Sequence, residues 1–167
     1  MGERLDMYEA MEKAFGLRNA DAAEYSPLTL AYIGDCVYEL IIRTTLVNAG
    51  NAPVDMLNRK ASRLAKAVTQ ALMADAVLES GMLTDSEEAA YRRGRNANTS
   101  TRAKNATVAD YRRATGFEAL IGWLYTQKSF DRIMEIVSAG WAAVKEGVSR
   151  KEAPKGGIFA PKEQETE

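Results

Sequence analysis

The chain has 167 residues, 46% of them hydrophobic and 27% charged, with a net charge of −1, which is the composition of one globular domain. The absence of histidine excludes a Ser-His-Asp triad, a Cys-His pair and a histidine-based zinc site. No apolar run reaches the roughly 20 residues of a membrane span, and the first residues lack the pattern of a secretory signal. The single cysteine excludes an internal disulfide. We therefore expect a cytoplasmic protein without membrane contact.

The first third of the chain has a helical apolar pattern, with no strand-like alternation. A short helix is predicted over residues 4–15, and Gly16 ends it. Ser26 followed by Pro27 predicts the N-cap and first position of a second helix. This second helix is long and apolar, and it is predicted to continue to about residue 48.

The middle of the chain predicts two further helices and a polar loop. Pro53 introduces a helix that continues toward Gly81, and one of its faces is apolar. The residues of that face are Leu57, Ala61, Leu64, Val68 and Leu72. Residues 84–87 form a capping-box pattern, which predicts a short helix before a polar loop over residues 94–105.

The last third of the chain predicts two helices and a tail. Thr107 is the predicted N-cap of a helix that ends near residue 126, and an amphipathic helix begins near Ser129. We therefore predict an all-α fold with a single domain over residues 1–149. Residues 150–167 are expected to form a polar, disordered tail, because they have little apolar surface to bury.

One segment concentrates the positive charge of this mildly acidic chain. Between residues 91 and 113 there are seven basic residues and one acidic residue, so the segment carries +6 while the whole chain carries −1. The seven basic residues are Arg92, Arg93, Arg95, Arg102, Lys104, Arg112 and Arg113. Such a concentration predicts a localised contact with a polyanion, although a solvated loop is the alternative.

Two isolated carboxylates lie in otherwise apolar helical stretches, Asp35 in residues 28–38 and Glu118 in residues 116–125. Burying an ionised acid is costly unless a base or a metal ion compensates it. One interpretation is an ordinary ion pair with a nearby arginine, for example Arg43 or Arg112. The other is a shared cation site, for which Mg²⁺ is the natural ion because it binds carboxylates, water and phosphates. Glycines flank both acids (Gly34, Gly116 and Gly122), so the two helices are expected to approach closely.

Three ordered motifs resemble the ribonuclease III family. Residues 30–40 (Leu-Ala-Tyr-Ile-Gly-Asp-Cys-Val-Tyr-Glu-Leu) are similar to its signature helix, and residues 115–125 (Thr-Gly-Phe-Glu-Ala-Leu-Ile-Gly-Trp-Leu-Tyr) to its second acidic helix. Residues 91–97 (Tyr-Arg-Arg-Gly-Arg-Asn-Ala) resemble a segment of the Mini-ribonuclease III branch, which lacks the double-stranded-RNA-binding domain. The resemblance covers roughly residues 24–145 and implies a ribonuclease III-like helical domain that forms a two-fold symmetric homodimer.

The resemblance implies that Asp35 and Glu118 are the catalytic residues and bind Mg²⁺. Leu28, Ala31 and Thr115 stand where the full-length family carries further acids. We therefore expect one well-bound Mg²⁺ per site, with any second ion recruited through the substrate phosphates. The implied activity is Mg²⁺-dependent cleavage of double-stranded RNA by an endoribonuclease.

The resemblance also implies residues that contact the RNA. The expected contacts come from the basic segment and are Arg92, Arg93, Arg95, Asn96, Arg102 and Lys104, with Asn98 as a further hydrogen-bonding group. Lys66 and Gln70, one helical turn apart, are expected to face the active site and contact a phosphate, with a solvated helix face as the alternative. The implied role is maturation of the ends of 23S ribosomal RNA precursor, with a ribosomal protein as a candidate helper.

Two other functions stay open at this point. The three missing acids favour a non-catalytic helical RNA-binding module, whereas the presence of both Asp35 and Glu118 opposes it. An all-α nucleotide pyrophosphohydrolase would also be dimeric and Mg²⁺-dependent. Such enzymes concentrate acids as Glu-x-x-Glu pairs on facing helices, and this chain lacks that arrangement.

Overall fold

The structure is a computed structural model that describes residues 6–98 and 106–151. Over these ranges the chain forms seven α-helices and one short 3₁₀ turn, without a strand, which confirms the predicted all-α fold. The helices are α1 (Met7–Phe15), α2 (Pro27–Asn48), α3 (Val54–Ala65), α4 (Ala67–Glu79), α5 (Asp85–Arg95), α6 (Val108–Thr126) and α7 (Phe130–Lys151). None of the described helices is long and apolar enough to cross a lipid bilayer. The predicted tail lies outside the described residues from residue 152 onward.

Local capping sets several of the helix ends, as the sequence predicts. The Ser26 hydroxyl accepts from the backbone N–H of Thr29 at 3.1 Å, with Pro27 at the first helical position of α2. The Thr107 hydroxyl caps α6 in the same way, accepting from the Asp110 backbone at 3.0 Å. Gly16 ends α1 in the left-handed conformation with φ of 59°, which glycine adopts without strain.

The single helix predicted from Pro53 toward Gly81 is wrong, because the chain breaks at Lys66 into α3 and α4. Lys66 has φ of −59° and ψ of 141°, so its backbone is extended between two helices. Because of the break, α4 buries a different face from the one that a continuous helix would bury. Val68 and Leu72, expected on the buried face, are 41% and 51% exposed.

Three side chains satisfy the backbone carbonyls at the end of α3. The Thr69 hydroxyl donates to the Arg63 carbonyl at 2.8 Å, and the Gln70 amide donates to the Ala65 carbonyl at 3.1 Å. The Leu64 carbonyl accepts from the Tyr38 hydroxyl of α2 at 3.0 Å. Because these donors replace the helical bonds that the break removes, the α3–α4 joint forms without glycine or proline.

The predicted polar loop begins later than expected. Gly94 lies inside α5 and is buried. It packs so closely on α6 that a Cβ there would overlap Ala119. The helix ends at Arg95, and residues 99–105 of the loop lie outside the described residues. The bases Arg92, Arg93 and Arg95 therefore project from a helix rather than from a loop.

Helix α6 is the centre of the domain, with α2, α4 and α5 packed on it and α7 packed on α4. Its segment from Ala114 to Leu124 is almost entirely buried. The largest apolar side chains of the core come from α2, α4, α6 and α7 and are Tyr38, Ile42, Met73, Phe117, Leu120, Ile121, Ile133 and Ile136.

Glycines bring α2 and α6 into backbone contact, as the sequence predicts. A Cβ at Gly34 would overlap the backbone carbonyl of Glu118, and a Cβ at Gly122 would overlap the Leu30 carbonyl. Neither position can therefore take a larger residue without a shift of one helix. The close approach sets Asp35, the neighbour of Gly34, beside Glu118.

Candidate active site

The two isolated acids meet across the contact between α2 and α6. Asp35 is exposed to solvent, whereas Glu118 is half-buried. Their carboxyl groups lie within hydrogen-bonding distance of each other, so the pair can share a proton. Two carboxylates at this distance repel when both are ionised, and either a proton on one of them or a cation between them removes that repulsion.

The electrostatics of the pair are those of uncompensated acids. Burial, and then the charge of Asp35, raise the pKa of Glu118 to about 8. Burial, and then the charge of Glu39, raise the pKa of Asp35 above its ordinary value. Without a bound cation, Glu118 is therefore largely protonated at neutral pH.

Among the described residues, the ion-pair interpretation of these acids is wrong. Arg43 instead binds Glu39, one turn along α2 from Asp35, at 2.9 Å. Arg112 is exposed, and within residues 6–98 and 106–151 no basic side chain forms a salt bridge with Asp35 or Glu118.

The carboxyl pair opens into a cleft of about 600 Å³ between α2, α6 and the end of α5. Leu28, Ala31 and Thr115, the positions where the full-length family carries acids, all line this cleft. Thr115 is buried, and its hydroxyl donates to the Tyr111 carbonyl at 3.0 Å. The cleft therefore has room for further acids, but only Asp35 and Glu118 among its described lining residues are acidic.

The donor set of the cleft fits a hard divalent cation that is shared with substrate. Over the described residues no group of three or more acidic, histidine or cysteine side chains is arranged to hold a metal. Two carboxylate oxygens alone suit Mg²⁺, which commonly keeps several waters and binds one or two carboxylates together with phosphates. Because Glu118 is desolvated and close to a second acid, the pair is compensated better by such an ion than by solvent.

Gln70 lies at the site, but its surroundings differ from those of a phosphate contact. Its side chain is 2% exposed, and its amide donates to Oε1 of Glu118 at 3.0 Å. Lys66 is exposed at the α3–α4 joint. The phosphate contact expected of Lys66 stays a prediction, whereas the side-chain nitrogen of Gln70 is occupied by two acceptors of the protein itself.

The basic segment adjoins the cleft at the end of α5. Arg92, Arg93, Arg95 and Asn96 are exposed. Arg92 pairs with Glu88 at 2.6 Å, and the Arg95 guanidinium lies 6.0 Å from the centre of the Tyr91 ring.

Asn98, just beyond these residues, lines the cleft itself. Arg113 is used internally, pairing with Asp75 and Asp110. Arg102 and Lys104 lie outside the described residues.

Sequence reasoning missed Tyr111 as a residue of the cleft, and it considered Asn98 only as an RNA contact. Tyr111, Thr115 and Glu118 are spaced as i, i+4 and i+7, so they share one face of α6. That spacing is the signal that could have found Tyr111. The position of Asn98 follows from the end of α5 and had no comparable signal.

The fold and the cleft together define a class of structure. It is an all-α domain in which two central helices bring two carboxylates together beside the basic end of a third helix. The model of the Ribonuclease III domain matches residues 28–129, which include both acids and the basic segment. The crystal structure of a Fusobacterium nucleatum protein superimposes with a TM-score of 0.65 at 30% sequence identity, covering 71% of this chain and 95% of that one.

Curated relatives narrow the class further. The Mini-ribonuclease 3 of Enterococcus faecalis is 42% identical over 127 residues, which are 76% of this chain and 95% of the relative. The Mini-ribonuclease 3 of Streptococcus pneumoniae is 40% identical over 111 residues, which are 66% of this chain and 87% of the relative. The chain belongs to the Mini-ribonuclease III branch of the ribonuclease III family and is an endoribonuclease. Family membership favours this function over both the binding module and the nucleotide pyrophosphohydrolase.

Proposed function

We propose that this endoribonuclease cleaves double-stranded RNA in a Mg²⁺-dependent reaction, with Asp35 and Glu118 as the metal ligands and catalytic residues. The observation that carries the proposal is the pair of carboxyl groups, in which Glu118 is desolvated and neither acid has a basic partner among the described residues. A protein that maintains such a pair loses stability unless a cation completes it. A phosphodiester substrate has the same need, because its developing charge must be neutralised.

The chain's own residues supply orientation and charge rather than a nucleophile. Asp35 and Glu118 hold negative charge at the point where α2 and α6 meet, and Gly34 and Gly122 keep the two helices in register. When bound there, Mg²⁺ supplies Lewis acidity toward the phosphate and lowers the pKa of water. No side-chain nucleophile is needed, which agrees with a chain that has no histidine.

The basic end of α5 is proposed to hold the RNA backbone beside the cleft. Double-stranded RNA is recognised mainly through its shape, its phosphates and its 2′-hydroxyl groups. Arg92, Arg93, Arg95 and Asn96 are exposed there. The loop residues Arg102 and Lys104 complete the proposed RNA contact as a prediction from the sequence alone.

A homodimer through α2 is proposed, with two clefts facing one duplex. The apolar side chains Leu28, Tyr32, Leu40 and Val47 of α2 are 40%, 82%, 50% and 64% exposed. A large exposed apolar surface on one helix is typical of a protein–protein interface.

The family resemblance further supports a cytoplasmic role in maturing 23S ribosomal RNA precursor, with a ribosomal protein as helper. It also supports a catalytic domain that ends near residue 149.

The test is cleavage of a long duplex RNA, with and without Mg²⁺, by wild type, Asp35→Asn and Glu118→Gln. Asp131→Asn, which removes an exposed acid at the start of α7, is the matched control. We expect Mg²⁺-dependent cutting by wild type and the control, and a loss of about 10³-fold or more in both site variants. Cleavage that survives in either site variant, or that needs no divalent metal, would contradict the proposal.

A further inference from the structure

Gln70 connects the α3–α4 joint to the carboxyl pair. Its amide nitrogen donates one hydrogen to Oε1 of Glu118 at 3.0 Å and the other to the backbone carbonyl of Ala65 at 3.1 Å. Its side chain is 2% exposed, so water does not compete for these bonds. Both N–H groups of the amide are therefore committed, one to the joint and one to the active site.

These two contacts fix the orientation of the Gln70 amide. The Ala65 carbonyl and the ionised Glu118 carboxylate can only accept, so a flipped amide would face them with its own oxygen and lose both bonds. The carbonyl of Ala65 is itself fixed, because it ends α3. Glu118 is thus held by a neutral donor that is anchored to the backbone of another helix.

A neutral donor holds Glu118 without using its charge. An arginine at this place would orient the carboxylate and also neutralise it, whereas an amide orients it only. The hydrogen bond occupies Oε1. The other carboxylate oxygen stays available toward Asp35 and a cation.

We propose that Gln70 is a positioning residue for the cleavage reaction, which fixes the Glu118 carboxylate so that it binds a divalent cation together with Asp35. This inference rests on the proposed metal site. Groups that hydrogen-bond to a metal ligand orient it, and their removal typically costs about 10- to 100-fold in metal affinity or activity. Gln70 acts through Glu118 and does not touch the RNA.

The test compares Gln70→Leu and Gln70→Met with Thr69→Val. Both Gln70 variants remove the N–H donors and replace the amide by an apolar side chain of similar size. Gln70→Met keeps the length of the glutamine side chain and is the substitute if Gln70→Leu does not fold. Thr69→Val is the matched control, because the Thr69 hydroxyl caps the Arg63 carbonyl at the same joint but does not contact Glu118. Melting curves in Mg²⁺-free buffer establish that each variant is folded.

Two readouts separate positioning from a structural role. The first is the Mg²⁺ concentration for half-maximal cleavage of duplex RNA, with kcat at saturating Mg²⁺. The second is binding of Mn²⁺ to the free protein, followed by electron paramagnetic resonance. We expect the Gln70 variants to need about 10- to 100-fold more Mg²⁺ and to bind Mn²⁺ more weakly. Thr69→Val should stay within about twofold of wild type in both readouts, whatever it costs in melting temperature.

Two results would overturn the inference. One is a wild-type Mg²⁺ requirement and kcat in both Gln70 variants, and the other is an equal shift in Thr69→Val, which would assign the effect to the joint. Asp35→Asn and Glu118→Gln are measured in the same series. If they cleave like wild type, the proposed metal site itself fails. If they are inactive while the Gln70 variants behave like wild type, only the role of Gln70 fails.

Discussion

Glu87 and Glu118 are both glutamates on helices of the same core, yet the fold treats them in opposite ways. Glu87 is 4% exposed at the start of α5 and receives hydrogen bonds from Arg132 of α7 at 2.8 and 3.0 Å. Those bonds hold the pKa of Glu87 below its ordinary value. Glu118 has Gln70 as its donor and no basic partner among the described residues, and its pKa is raised to about 8.

The comparison shows how a structural acid differs from one that is available for function. The charge of Glu87 is neutralised inside the protein by its ion pair with Arg132. Arg132 also donates to the Met82 carbonyl at 2.5 Å, and these bonds join α7 to the start of α5. The charge of Glu118 is left without a compensating base in the part of the chain that the structure describes. A buried acid without a base is therefore a better indicator of a metal site than a buried acid as such.

The largest expected effect is a change in how stability depends on pH when Glu118 becomes glutamine. Because the folded-state pKa of Glu118 is raised, the wild type loses stability as pH rises from about 4.5, the unfolded value, to about 8. Glu118→Gln removes this loss, so its stability relative to wild type should increase by up to about 4 kcal/mol between pH 5 and pH 9.

The measurement is urea unfolding at pH 5, 7 and 9 in the presence of EDTA. Adding Mg²⁺ at pH 9 should stabilise wild type and leave Glu118→Gln unchanged, because only wild type keeps both carboxylates. An equal pH dependence in wild type and variant would show that Glu118 is not held as a desolvated acid.

A change at the helix crossing comes next in size. Gly34→Ala should destabilise the protein by about 3 kcal/mol, because the added Cβ overlaps the Glu118 carbonyl and must push α2 from α6. It should also lower cleavage, since Asp35 and Glu118 move apart. Gly147→Ala in α7 is the control, where a Cβ meets nothing within 4 Å, and it should be neutral or slightly stabilising. Chemical denaturation of both variants decides the point, and equal stabilities would contradict the packing argument.

The smallest effect tests the structural side of the comparison. Glu87→Gln should cost about 2 kcal/mol of stability, because Arg132 loses its buried charged partner and, among the described acids, keeps only the exposed Glu135. At a temperature where it is folded, its Mg²⁺ requirement for cleavage should match wild type. Because the pKa of Glu87 is lowered, its contribution is present above about pH 4.5 and is lost as pH falls.

Glu88→Gln is the matched control for Glu87→Gln. Glu88 is the adjacent residue and pairs with Arg92, whose side chain is 64% exposed. Its loss should cost no more than about 0.5 kcal/mol. If the two variants lose the same stability, the distinction between the buried and the exposed pair is wrong.

The sequence by itself determined the helical class and several of the helix ends. Caps such as Ser26, Thr107 and Gly16 act on backbone groups within a few residues, so their effect can be predicted locally. The sequence also indicated that Asp35 and Glu118 stand apart from the apolar residues around them. It indicated their close approach as well, because Gly34 and Gly122 leave room for it.

Only the tertiary structure decided which acid pairs with a base and which has an amide donor instead within the described residues. The partner of Glu87 is 45 residues away on α7, and the donor to Glu118 is 48 residues away on α4. The break at Lys66 likewise depends in part on Tyr38, which reaches the Leu64 carbonyl from α2. Such contacts form when helices pack, and a pattern of neighbouring residues does not encode them. The charge state of each acid is therefore a property of the packed core rather than of its own helix.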